Sequence, residues 1–455
     1  MRTLVAGGTV VTAADTVRAD VLIAGDKVAE VGAAGGVSVD RVIDAAGRYV
    51  IPGGIDVHTH MELATPHAVA SDDFATGTAA AAWGGTTTII DYAGHDYGEP
   101  LLAGLERWQA KAAGAAHIDY GLHMMIKEVN DQVLADMALL AGAGVTSVKL
   151  FMAYPGVYMV DDAALFRAMG RAADIGAMVA VHAENGGAIE VLVGRLLAEG
   201  RTSPLYHARS RPAALEAEAT SRAIALARVA GTPVYIVHLS TAPALAAVHA
   251  ARDAGGNVYA ETCIQYLYLD ESDMAGADGS KYVCTPPLRT AADRDALWQG
   301  LHRGDLDVVA TDHCPFTLAD KQRGVGDFTK IPGGLPGVED RVTLAFQGVL
   351  DGRISLNRWV EVIATAPAKL FGLYPHKGTL APGGDADLVV FDPAAERVIG
   401  AATHHMNVDY SCYEGLRVRG RPETVMQRGQ ILVADGTFHG RPGAGHYLSR
   451  QPPAL

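Results

Sequence analysis

The central part of the chain alternates short apolar runs with alanine-rich segments, and this alternation restricts the possible folds more than any other feature. Eight apolar runs predict strands at 54–60, 86–92, 120–126, 146–152, 178–184, 233–239, 258–264 and 307–313. The segments between them, such as 214–231, are rich in helix-forming residues and end in glycine. Eight strand–helix units over roughly 250 residues predict an α/β fold of the (β/α)₈ barrel type. A doubly wound open sheet is the alternative, but no glycine-rich phosphate loop follows the first strand.

The two ends of the chain have a different pattern. Residues 1–52 and 376–455 alternate apolar and polar positions and contain glycine-rich turns, which is typical of antiparallel strands. Neither end carries enough strands to bury a sheet face alone. We therefore predict that both ends pair into one small β-sandwich domain, with a C-terminal tail, beside a barrel of residues 53–375.

The composition excludes several classes of protein. Hydrophobic residues make up 49% of the chain, which is enough for a buried core and argues against disorder. The net charge of −14 repels phosphate backbones and anionic lipids, so we expect no nucleic-acid partner and no membrane partner. The sequence has no transmembrane run and no apolar signal-peptide region at its N-terminus. Only 4 cysteines in 455 residues indicate reduced thiols, so we expect a cytoplasmic protein.

Four of the 17 histidines stand at or near predicted strand ends, where the active sites of such barrels lie. His58 and His60 are two positions apart, so both imidazoles point to the same face of the first strand. His182, His238 and Asp312 end three later strands. A single buried histidine is usually a hydrogen-bonded core residue. Burying this whole set without partners would be costly, so the set predicts a metal site.

Lys149 lies in the fourth predicted strand, where burial disfavours an ammonium group. One interpretation is a salt bridge with Asp312. The other is a carbamate, formed when a neutral amine reacts with carbon dioxide, whose two oxygens can bridge two metal ions. The spacing of the residues leaves both interpretations open. Cys314 is predicted to be a packing residue. Arg289 is predicted to form an ion pair that fixes its loop.

Seven motifs now define a resemblance to a known family. They are GGIDVHTH, TSVKLFMAY, VAVHAEN, YIVHLS, CTPPLR, ATDHCPF and GVEDR, in this order along the chain. With them the sequence resembles the dihydropyrimidinase and D-hydantoinase branch of the amidohydrolase superfamily over essentially its whole length. The resemblance implies a barrel with a β-sandwich domain and a homotetramer, or a dimer. It also implies hydrolysis of neutral cyclic ureides, 5,6-dihydropyrimidines or 5-substituted hydantoins, to N-carbamoyl amino acids.

The resemblance also implies a binuclear metal centre, usually with zinc. By position in the motifs, His58, His60 and Asp312 would hold one ion, and His182 and His238 would hold the second. Lys149, modified by carbon dioxide to N6-carboxylysine, would bridge the two divalent ions.

Three further positions follow from the same resemblance. Tyr154 would orient the substrate and stabilise the oxyanion, while main-chain groups of Thr285 and Gly333 would bind the ring amide. Asp312 would take a proton from the attacking water and deliver it to the leaving ring nitrogen. Family members usually have Ser and Asn where this chain has Thr285 and Gly333, which main-chain contacts should tolerate. Residues 61–74 resemble a gate loop for the ring substituent, but they differ from the family form.

Three other functions have to be weighed against this one. Dihydroorotase must bind a substrate carboxylate, which Glu62 after the first histidine pair would repel. Allantoinase stays open as an alternative. Dihydropyrimidinase-related scaffold proteins have lost metal ligands, whereas this chain fills all six ligand positions, so the sequence favours an enzyme.

Overall fold

A computed structural model of the protein describes residues 1–33 and 36–453. Its strands are β1 (Arg2–Ala6), β2 (Thr9–Val11), β3 (Thr16–Arg18), β4 (Asp20–Ala24), β5 (Lys27–Gly32), β6 (Arg41–Asp44), β7 (Tyr49–Pro52), β8 (Gly54–Thr59), β9 (Thr86–Ala93), β10 (Asp119–Met125), β11 (Ser147–Phe151), β12 (Met178–His182), β13 (Val234–Ile236), β14 (Val258–Cys263), β15 (Val308–Ala310), β16 (Leu388–Val398), β17 (Arg417–Gln427), β18 (Gln430–Ala434) and β19 (Thr437–Phe438). Its α-helices are α1 (Phe74–Trp83), α2 (Leu101–Ala112), α3 (Asp131–Gly142), α4 (Asp162–Ile175), α5 (Gly186–Ala198), α6 (Leu205–Arg209), α7 (Ala213–Ala230), α8 (Ala242–Asp253), α9 (Ala291–Arg303), α10 (Leu318–Gln322), α11 (Arg341–Leu350), α12 (Leu356–Val360) and α13 (Ala366–Leu370).

Strands β8 to β15 form one parallel sheet in chain order, and this sheet is the predicted barrel. All eight predicted strands are present, although β13 and β15 are only 3 residues long. The sheet closes between its first and last strands at their C-terminal ends, where the His60 amide donates to the carbonyl of His313 at 2.9 Å. The nearly closed barrel therefore gathers the C-terminal ends of all eight strands around one mouth.

The helical predictions also hold. Helix α7 covers the predicted segment and ends at Gly231, whose φ of 74° is left-handed, as glycine allows. Helix α8 begins after Thr241, whose hydroxyl accepts a hydrogen bond from the Ala244 amide. Among the helices of the described residues, none is both long enough and apolar enough to cross a membrane.

Both ends of the chain contribute to sheets beside the barrel, as predicted. The expectation of purely antiparallel strands was wrong, because β1 pairs parallel with β6 and β2 pairs parallel with β7. A four-stranded sheet has the order β5-β4-β1-β6, and a seven-stranded sheet has the order β19-β18-β17-β16-β7-β2-β3. In the second sheet β7 from the N-terminal segment pairs antiparallel with β16 from the C-terminal segment, with Pro52 opposite Leu388. Val5, Val50 and Leu388 share one buried apolar cluster. The domain boundaries 1–52, 53–375 and 376–455 stay a prediction.

The C-terminal tail leaves these sheets and returns to the barrel. The Tyr120 amide in β10 donates to the main-chain carbonyl of His446 at 3.0 Å, and the Leu448 amide donates to the main-chain carbonyl of Tyr120 at 2.8 Å. The buried Arg450 guanidinium then donates to Ser147 Oγ at 2.9 Å. The tail thus fastens two neighbouring barrel strands.

Candidate functional site

The predicted metal ligands meet at the mouth of the barrel. His58 Nε2 lies 3.1 Å from Asp312 Oδ1, and His60 Nε2 lies 3.0 Å from the same oxygen. On the other side, His182 Nδ1 lies 2.9 Å from His238 Nε2. The His58 and His238 rings are 5.4 Å apart between centroids, so the two groups adjoin. The structure therefore brings together all the histidines and the aspartate that the sequence singled out.

Three residues at this mouth adopt left-handed backbone conformations that are costly for residues other than glycine. They are Tyr154 (φ 66°), His238 (φ 40°) and Asp312 (φ 51°). His238 and Asp312 lie just beyond the ends of β13 and β15, so the change of backbone direction also ends these strands early. Such strain persists where the surrounding structure enforces it, and it concentrates at functional sites.

Lys149 is buried between the two groups of ligands. Its Nζ lies 3.1 Å from His58 Nε2, and it sits 4.2 Å from the ring centroid of Tyr92 and 5.1 Å from that of Phe151. Burial lowers the pKa of Lys149, although the Asp312 carboxylate opposes this shift. Within the described residues the ammonium forms no salt bridge with Asp312, so this alternative from the sequence is not realised.

Two buried carboxylates hold the outer nitrogens of two histidines. Glu261 pairs with His58 Nδ1, and Glu184 lies 2.8 Å from His182 Nε2. In neutral imidazoles, outer nitrogens that donate to these carboxylates leave the inner nitrogens with lone pairs that point into the site. The inner nitrogen of His58 thus faces an oxygen of Asp312 at 3.1 Å, where an imidazole nitrogen and a carboxylate oxygen can share one cation, either a proton or a metal ion. The donor set therefore fits divalent metal ions that accept nitrogen and oxygen ligands.

The protonation states of His60 and Glu184 agree with this fit. Burial lowers the pKa of His60 to about 4, although the neighbouring Asp312 carboxylate raises it, so this imidazole is neutral at pH 7. For Glu184, burial raises the pKa, but Arg211 and His182 outweigh it and bring the value to about 2. Neutral imidazoles with ionised supporting carboxylates are the forms that metal binding requires.

Sequence reasoning did not identify Glu184 and Glu261. Glu261 also accepts hydrogen bonds from the Tyr235 hydroxyl at 2.9 Å and from the His238 amide at 3.0 Å. The available signal was an acidic residue inside an apolar run in each of VAVHAEN and VYAETCI. A carboxylate in such a run needs a buried partner, which the nearby histidines supply.

A cavity of about 640 Å³ opens above the ligands. Tyr154, Thr285 and Gly333 line it, and so does Leu63 from segment 61–74. A Cβ on Gly333 would lie 3.0 Å from Thr285 Oγ1, so these two positions are adjacent in the wall. Burial raises the pKa of Tyr154 against the opposing effect of Arg211, which keeps the phenol protonated. A largely apolar cavity with a few convergent polar groups is the usual form of a small-molecule site.

Two other residues behave as the sequence indicated. Cys314 is buried at the edge of the cavity, and burial raises the pKa of its thiol, as in a packing residue. Arg289 donates to Ser240 Oγ at 2.9 Å and pairs with Glu216 at 3.2 Å, so it fixes its loop.

Comparison with known proteins gives consistent matches over the whole chain. Residues 49–432 match the amidohydrolase family. A D-hydantoinase from Streptomyces coelicolor is 53% identical, with 99% of this chain and 98% of that protein covered. A D-hydantoinase from Geobacillus stearothermophilus is 49% identical over 99% of this chain and 97% of its own length. The crystal structure of dihydropyrimidinase from Brevibacillus agri is 48% identical, with a TM-score of 0.99 and full coverage of both chains.

Proposed function

The chain belongs to the amidohydrolase family, among its D-hydantoinases and dihydropyrimidinases, and from this premise we propose the substrates and the roles of its residues. It is a cyclic amidohydrolase. It opens the cyclic amide bond of 5,6-dihydropyrimidines, 5-substituted hydantoins or both, and releases N-carbamoyl amino acids. The observation that carries this proposal is the convergence of four histidines and Asp312 on the floor of a cavity in a chain that matches hydantoinases from end to end.

Six side chains are proposed to hold two divalent ions, with zinc as the expected metal. His58, His60 and Asp312 would hold one ion, His182 and His238 would hold the other, and Lys149 would serve as a ligand of both as N6-carboxylysine. Support for the bridge comes from the burial of the Lys149 amine among aromatic rings and from its position beside His58. When bound, such a pair of ions supplies a nucleophilic water at neutral pH and polarises a carbonyl group.

Two residues of the chain handle charge and protons during ring opening. The protonated Tyr154 donates a hydrogen bond to the carbonyl oxygen as negative charge develops there. Asp312 places Oδ1 between His58 and His60 and accepts the proton of the attacking water. It then delivers this proton to the ring nitrogen as the carbon–nitrogen bond breaks.

Main-chain groups hold the rest of the ring. Thr285 and Gly333 bind the ring amide, and segment 61–74 shapes the space for the ring substituent, with Leu63 at the wall of the cavity. The substrate is neutral, so the net charge of −14 has no role in attracting it. A homotetramer, or a dimer, and a cytoplasmic location stay predictions from the sequence.

Hydrolysis assays test this proposal. Zinc-loaded protein is expected to open dihydrouracil or phenylhydantoin at least tenfold faster than allantoin, measured as kcat/KM. Removing the metal with a chelator should abolish the activity, and zinc with bicarbonate should restore it. Faster opening of allantoin would favour the allantoinase alternative. Full activity of the chelated, metal-free protein would contradict the proposed metal centre.

A further inference from the structure

A second lysine, Lys321 in α10, is completely buried and has no role in the chemistry above. Its Nζ donates to three main-chain carbonyls, those of Val283, Pro332 and Gly334, each at 2.7 Å. An ammonium group has three protons, so all of its donors are used. Among the described residues, no carboxylate pairs with it.

The three carbonyls belong to the two segments that line the cavity at the proposed ring-amide site. Val283 lies two residues before Thr285, and Pro332 and Gly334 lie on either side of Gly333. The Gly334 amide also donates to the Val283 carbonyl at 3.0 Å. The Lys321 ammonium thus holds together the two pieces of backbone whose spacing defines that wall.

Burying an ammonium group at this place costs free energy that an apolar side chain of similar size would not cost. Burial lowers the pKa of Lys321 to about 8, which reports the cost of keeping the charge away from water. The thiols of Cys284, Cys314 and Cys412 face the same group, and the ring centroid of Phe316 lies 5.7 Å from Nζ. A methionine would fill nearly the same volume without this cost, so the hydrogen bonds to the carbonyls are what the lysine adds.

We propose that Lys321 is a positioning residue that fixes the distance between the backbones of Thr285 and Gly333 and thereby sets the affinity for the ring amide. The inference rests on the proposed function, because it needs a ring amide bound between these two segments. All ring substrates share that amide, so the effect is the same for dihydropyrimidines and hydantoins. Lys321 does not touch the reacting atoms and acts only through the backbone that it holds.

The test compares Lys321→Met with Lys330→Met, the same substitution at an exposed lysine nine residues further along. Lys321→Met is expected to raise KM about tenfold for both dihydrouracil and a hydantoin, with kcat within about threefold of wild type. Lys330→Met removes an exposed ammonium that pairs with Asp327 at 3.1 Å, and it is expected to leave both constants unchanged. A purely structural loss would lower the active fraction, and so kcat, without moving KM.

Hydrogen exchange gives a readout that is independent of activity. The amides of residues 283–285 and 333–334 are expected to exchange faster in Lys321→Met, while the zinc content stays at the wild-type level. If Lys321→Met does not fold, Lys321→Gln, which keeps two donors, is expected to raise KM by an intermediate factor.

The outcomes separate the two proposals. A KM within twofold of wild type together with unchanged exchange in these segments would overturn the role of Lys321 alone. Failure of both wild type and Lys330→Met to open any ring substrate would overturn the proposed function and, with it, this inference.

Discussion

Single residues outside the cavity decide which way the metal-facing nitrogens point. Glu261 is the strongest example, because its two oxygens contact the His58 ring, the His238 amide and the Tyr235 hydroxyl. One carboxylate therefore orients a ligand in each half of the proposed centre. Removing its charge should disturb both halves, even though no atom of Glu261 would touch a metal ion.

Glu261→Gln is predicted to weaken zinc binding by about 10- to 100-fold, because His58 loses the acceptor that fixes its tautomer. A competition titration against a chromogenic chelator measures this affinity directly. Glu218→Gln is the matched control, since Glu218 lies exposed on α7 and pairs with Arg222 at 2.9 Å. Equal zinc affinity in wild type and Glu261→Gln would show that the carboxylate does not orient the ligand.

The candidate ligands could be predicted from the sequence, but their supports could not. His58 and His60 are recognisable because strand periodicity and strand ends are local features. The partnership of His58 with Glu261 joins residues 203 positions apart, so only the folded barrel reveals it. The same holds for Lys149. The sequence left a salt bridge with Asp312 as one interpretation, and only the contacts of Nζ in the folded chain decided against it.

At the scale of elements, the barrel depends on the seam between β8 and β15. The Asp56 carboxylate in β8 accepts from the Thr311 amide at 3.3 Å and from the Thr311 hydroxyl at 2.6 Å. The buried Arg341 guanidinium lies 3.7 Å from the same carboxylate. A side chain thus makes contacts across the seam that the short strand β15 does not provide through its backbone.

Asp56→Ala is predicted to reduce the free energy of unfolding by about 3–5 kcal/mol, because it leaves a buried arginine without its partner. Urea denaturation of the metal-free protein measures this loss without an added contribution from metal binding. Asp295→Ala, at an exposed aspartate that pairs with Arg353 at 3.0 Å, should cost less than about 1 kcal/mol. Similar small losses in both variants would mean that Asp56 does not stabilise the seam.

The existence of the barrel strands was predictable, whereas their ends were not. Apolar runs identify a buried parallel strand wherever it lies. The predicted strands 233–239 and 307–313 continue past the residues at which β13 and β15 end. The left-handed backbone at His238 and Asp312 takes the chain out of the sheet. A histidine or an aspartate does not by itself predict this backbone conformation, so the sequence could not indicate where the strands end.

At the scale of the whole molecule, one buried lysine ties the barrel to the terminal sheets. Lys377 Nζ lies 2.8 Å from Asp119 in β10 and 2.7 Å from Asp387, next to β16. It also pairs with Asp385 at 3.1 Å. These contacts join segments more than 250 positions apart in sequence, so the alternation patterns could predict the two parts but not the ion cluster between them.

Lys377→Met is predicted to lower the free energy of unfolding by about 3–5 kcal/mol, since it leaves the buried Asp387 carboxylate without its cation, whereas Asp119 keeps Arg428 and Asp385 keeps Lys27. Lys369→Met, at an exposed position on α13, is the matched control and should cost less than about 1 kcal/mol. The three carboxylates raise the pKa of Lys377 against the lowering effect of burial. The contribution of Lys377 to the free energy of unfolding is therefore fully present below the ordinary lysine pKa, and it is lost as the pH rises through the raised pKa. A wild-type unfolding free energy for Lys377→Met at neutral pH would refute this role.

The proposed binuclear centre depends on Lys149 as the bridge between its two ions. A crystal structure of the zinc-loaded protein, grown with bicarbonate, tests this most directly through the electron density at that side chain. We predict two ions, one beside His58, His60 and Asp312 and one beside His182 and His238, joined by a carbamate on Lys149. An unmodified Lys149 amine in a fully metal-loaded crystal would contradict it.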